Sequence, residues 1–89
     1  MSEEISIVRR AKEVADKAQF VDFLRALHAD LEKRPEEWEN RTLGDYLEGM
    51  SRFTAAIEGY YSNRKESVDL ERPSWRVLAE ILVAASVYQ

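Results

Sequence analysis

From residue 16 onward, apolar side chains recur every three or four positions, the period of helices that lie with one face on a core. Phe20, Phe23, Leu24, Leu27 and Leu31 form the clearest such stripe. Ahead of it, Asp16-Lys17-Ala18-Gln19 has the capping-box pattern, in which Asp16 accepts from the backbone N–H of Gln19 and the Gln19 side chain reaches back. Lys33 and Arg34 suit the negative end of the helix dipole, and Pro35 keeps its predecessor out of helical geometry. The spacing predicts a helix over 17–33.

A second stripe, Leu43, Tyr46, Leu47, Met50, Phe53 and Ile57, predicts a helix over 43–58. Thr42 is its N-cap, with Asp45 three residues on, and Gly59 stands where a left-handed C-terminal cap belongs. Between the two helices, Pro35 followed by Glu36 and Glu37 fits one short helical turn over 35–39. Residues 59–72 read as an irregular polar loop tacked down by Val68 and Leu70. Pro73-Ser74 opens a last helix running to Tyr88, apolar almost all the way round, as a central buried helix must be. At the N-terminus, Ile5, Val8 and Ala15 line a helix over 3–13 with so little apolar surface that a partner chain would suit it. Gly49, inside the second helix, marks either a close helix crossing or a position without structural meaning.

Strand-like alternation is nearly absent, so the predicted fold class is all-α: a small helical array of three main helices, an N-terminal helix and one short turn. One domain is expected over 1–89, with 1–15 as an N-terminal helical extension and 16–89 as the core. Composition narrows the chemistry. The 89 residues include no Cys, which excludes disulfides and thiolate ligands or nucleophiles. Seventeen acids against 13 Lys+Arg give a net charge of −4. That balance argues against a nucleic-acid binder, which needs clustered positive charge. The acidity sits in residues 14–40, while residues 73–89 carry only Arg76 and Glu80. No signal sequence and no run of ~20 apolar residues is present, so a cytoplasmic location with no membrane partner is expected.

Several motifs fall in a familiar order. Trp38-Glu39-Asn40, then Tyr60-Tyr61-x-Asn63, then Pro73-Ser74-Trp75 with Ala84-Ala85-x-x-Tyr88, resemble a family of small uncharacterised bacterial proteins, a domain of unknown function. The resemblance covers residues 20–88. Members often end in Tyr-Glu, whereas this chain ends Tyr88-Gln89. It implies a soluble, stand-alone bacterial domain and supplies no activity.

Trp38, Asn40, Tyr60, Tyr61, Asn63 and Trp75, with Tyr88, are the candidate binding residues. One reading makes the two Trp plugs at the ends of a small core and the two Asn caps of chain turns. The other places them around an aromatic groove between the 35–42 turn, the 59–72 loop and the last helix, a setting for a small ligand or peptide. His28 with Glu32 one turn on offers two metal ligands but no third, and Glu36, Glu37 and Glu39 crowd one solvated turn rather than facing across a cleft. No nucleophile elbow or phosphate loop is present, so no catalytic constellation and no cofactor is expected. The expectation is a non-catalytic protein-interaction module whose partner is another protein, or a second copy joined through residues 3–15.

Overall fold

A computed structural model describes residues 6–88. Along the chain come α1 (Ile7–Lys12), α2 (Lys17–Lys33), a 3-10 turn (Pro35–Glu37), α3 (Leu43–Ala55), α4 (Ile57–Asn63) and α5 (Trp75–Ala85). No strand occurs among the described residues, and the fold is all-α. Helix α5 is the hub, packed against α1, α2 and α3. Its burial of Val77, Ala79, Glu80, Val83 and Ala85 agrees with the apolar periphery of its sequence.

The caps follow the sequence closely. Gln19 N–H donates to Asp16 Oδ1 at 2.8 Å, while Gln19 Oε1 accepts from the Ala15 N–H at 2.7 Å, one residue ahead of the N-cap. Asp45 N–H donates to Thr42 Oγ1 and Val77 N–H to Ser74 Oγ. The bonds to Asp16, Thr42 and Ser74 each supply a partner to an orphan N–H of a first turn.

Several boundaries differ from expectation, the short turn ending at Glu37 rather than 39 and the last helix at Ala85 rather than Tyr88. The predicted 43–58 helix breaks at Ala56, where the chain tightens into a bond from Ala56 N–H to Phe53 O, and helix resumes as α4. Gly59 is therefore inside a helix and not a left-handed cap. Glycine permits a positive φ without requiring it, and burial of Tyr61 beyond it rewards continuing the helix. The left-handed residue is Lys65, at φ 58°. Around it Lys65 N–H donates to Ser62 O and Glu66 N–H to Tyr61 O, the paired bonds of a Schellman cap. The irregular stretch thus begins after Asn63, and Val68 and Leu70 do pack it down.

The N-terminal helix also needs correction. Its buried face is Ile7, Ala11 and Val14 rather than Ile5, Val8 and Ala15, of which Ile5 lies outside the described residues. Ala11 and Val14 are buried within this chain's own core, on α5 and α2. Val8 and Ala15, the described residues of the face expected to meet a second copy, stay exposed.

Two clusters make the core. One gathers Ala11, Val14, Phe23, Leu27, Trp38, Ala79 and Val83; the other holds Phe53, Ile57, Tyr61 and Val77. Gly49 marks a close crossing: a Cβ there would lie 2.6 Å from Asn40 Nδ2 and 2.8 Å from Ala85 O.

Candidate functional site

Two of the predicted site residues, Trp38 and Asn40, meet at one place. The connector after the 3-10 turn carries both, and they are buried. Trp38 donates its indole N–H to Asp30 Oδ2 at 2.9 Å and stacks on Tyr46, with ring centroids 5.9 Å apart. Asn40 caps the end of α5 from outside it. Its backbone N–H donates to Ser86 O and its side-chain amide donates to Ala85 O and Tyr88 O. The bonds to Ala85 O and Ser86 O meet carbonyls that the helix end leaves unpaired, and the bond to Tyr88 O ties down the residues after it. The capping reading of Asn40 is therefore the structural one.

The other candidates sit apart. Tyr60 and Tyr61 belong to α4 and the second cluster, with Tyr60 set edge-on against both Phe53 and Tyr61. Trp75 leans on Phe20 at 5.2 Å and stays 38% exposed. Asn63 is the exposed last residue of α4. Tyr88 rests edge-on against Phe53. With Trp38 held on Asp30 and Tyr46, Trp75 on Phe20 and Tyr60 on Phe53, the aromatic candidates do not line one common groove.

A different groove does. Helices α2 and α3 each pack on α5 but not on each other. The opening between them is a cavity of about 330 Å3. Leu24, Leu27 and Leu31 wall it on the α2 side and Leu43 and Tyr46 on the α3 side, with Trp38 between. Leu24 is 40% exposed and Leu43, at the mouth, 72%. Large apolar groups so exposed beside a concave surface mark an interaction site more than a lone exposed leucine would. Among the described residues the polar lining is His28, Asn40, Arg41 and Thr42, with no acid. His28 lies 3.2 Å from Glu32. Tyr46 donates its hydroxyl to Leu82 O at 2.8 Å, and burial pushes its pKa up to about 12. Both aromatic rings of this wall are thus fixed by hydrogen bonds, so the groove is pre-formed.

Sequence reading did not single out this groove because Leu24, Leu43 and Leu47 sit on the apolar stripes and pass for core. A second unsuspected group is Glu80, buried in the middle of α5. It accepts from the Tyr61 hydroxyl at 2.5 Å through Oε1, while Oε2 has no partner. Burial first, then the bond to Glu80 and its charge, raise the Tyr61 pKa. Nearby, Arg64 and Arg76 both reach Glu66, at 3.3 and 3.0 Å. Their hydrogen bonds, that of Arg76 foremost, lower the Glu66 pKa. Among the described residues no group of three or more His, Asp or Glu side chains is placed to hold a metal ion. No described helix is long and apolar enough to cross a membrane.

A family model matches residues 16–89, from the N-cap of α2 to the last residue. The chain belongs to DUF7660, a family of unknown function. No curated protein and no solved structure matches it. The DUF7660 match takes in every element of the groove and of both core clusters except α1 and the turn after it. Ala11 and Val14 nevertheless complete the first cluster from outside the matched segment.

Proposed function

We propose that this DUF7660 protein is a non-catalytic interaction module that takes an apolar segment of another protein into the groove between α2 and α3. The observation that carries this reading is the unfilled gap between two helices that share α5 but do not touch, with Leu24 and Leu43 exposed on its two lips. A groove lined by leucines over an aromatic floor is the setting in which amphipathic segments dock. The test compares a tagged wild-type chain with the Leu24→Lys/Leu43→Lys double variant in capture from native lysate. A protein retained in stoichiometric amount by the wild type and lost by an equally folded variant is the expected result. The same partners on both chains would move the interaction away from the groove.

A second reading rests on the cavity volume, about 330 Å3, which falls at the lower end of ~300–1,000 Å3 ligand pockets. A small apolar ligand there would touch Trp38, so a metabolite panel read by tryptophan emission separates it from the first. A ligand that changes the emission of wild type and of Trp75→Phe alike would favour this reading.

A further inference from the structure

We infer that the segment this groove takes is an amphipathic helix carrying a carboxylate that meets Arg41. This rests on the docking reading above and adds the shape and charge of the occupant. Shape comes from the walls. The two long walls are helices whose backbone groups are bonded within themselves, and only the short connector over residues 38–42 adds irregular backbone to the lining. An extended segment laid there would leave its own backbone polar groups without protein partners, whereas a helix satisfies them internally. Because α2 and α3 both pack on α5 but not on each other, a third helix laid over the gap would lean its side chains on both walls.

Charge comes from the rim. The chain is acidic overall, at net −4, yet among the described residues no Asp or Glu lines the groove. Among the described residues, Arg41, exposed beside Leu43, is the one lining residue of permanent charge, and it has no ion pair. Arg25, Arg34, Arg52, Arg64 and Arg76 each reach a carboxylate of their own chain, while Arg10 and Arg72, which show no ion pair among the described residues either, do not line this groove. A guanidinium left open at the mouth of an apolar groove is a fork for a carboxylate, and it rejects a cation there.

The experiment uses three fluorescein-labelled helical peptides of ~18 residues with the same leucine face, flanked by Glu, by Gln or by Lys, and measures anisotropy against the full chain. The wild type should bind the Glu-flanked peptide about three- to tenfold more tightly than the Lys-flanked one, with Gln between. Arg41→Glu should reverse the order, and Leu24→Lys/Leu43→Lys should abolish binding of all three. Equal affinities for the three peptides, or an order unchanged in Arg41→Glu, would overturn the carboxylate and leave the groove standing. Undiminished binding to the leucine double variant would overturn the groove reading itself. Failure of every peptide to bind would overturn the helical occupant, as would a wild-type dimer in sedimentation that Leu43→Lys splits, since the occupant is then a second copy.

Discussion

At the scale of single residues, three positions decide local geometry. Asn40 and Gly49 act as a pair: the amide of one reaches the carbonyls ending α5 only because the other has no side chain. Gly49→Ala would place a methyl group within 2.6 Å of that amide and 2.8 Å of Ala85 O, closer than real contacts allow. Loss of about 1–3 kcal/mol is expected, outweighing the helix propensity gained. Lys65 behaves oppositely. It holds a left-handed φ of 58° that a non-glycine residue adopts at a cost, in the cap position where glycine is usual. Lys65→Gly should therefore stabilise by about 0.5–1 kcal/mol, the relief of strain being partly offset by the greater freedom of an unfolded glycine. Urea denaturation of the two variants beside wild type checks both signs. Destabilisation by Lys65→Gly would mean that its side chain does more at that cap than its backbone costs.

At the scale of elements, α2 was legible to the residue, because its capping box, its stripe and its closing proline all agree. The early end predicted at Gly59 failed because aromatic burial beyond a glycine outweighs its local preference. Of the candidate site, Trp38 and Asn40 were visible as unusual residues in a turn, but their neighbours were not. Whether Leu43 faces core or solvent depends on whether α2 closes onto α3, a tertiary fact that periodicity does not contain. Helix α1 was misread for a related reason. Its payload is small, yet Ala11 and Val14 are almost fully buried, so little apolar surface is needed to seat it. A chain starting at Ala15 loses both residues from the first cluster and exposes Phe23 and Ala79, which pack there with them. We expect this truncation to lower stability by about 2–4 kcal/mol, judged against large-to-small core substitutions. Thermal denaturation with light scattering checks it. A shortened monomer melting like the full chain would show that α1 is an appendage.

For the molecule as a whole, buried tyrosine hydroxyls tie each cluster to α5: Tyr46 to Leu82 O and Tyr61 to Glu80. This makes the fold sensitive to alkali in a definite direction. The Tyr46 pKa stands at about 12 in the folded chain against an ordinary 10.0. Its proton therefore leaves the unfolded chain first, and stability present below pH ~10 declines as pH rises toward ~12. Tyr61, raised by burial and by Glu80, adds to the same trend. Tyr46→Phe should be about 1 kcal/mol less stable than wild type near pH 8, where it lacks the bond to Leu82 O. Between pH ~10 and ~11 the wild type should then lose on the order of 1 kcal/mol more than the variant, after allowance for the partial exposure of Tyr46. Urea midpoints at pH 8, 10 and 11 test this. Converging curves place the alkaline weakness at the Tyr46 hydroxyl, and hence at the wall of the groove, while parallel curves would assign it to Tyr61 and the second cluster.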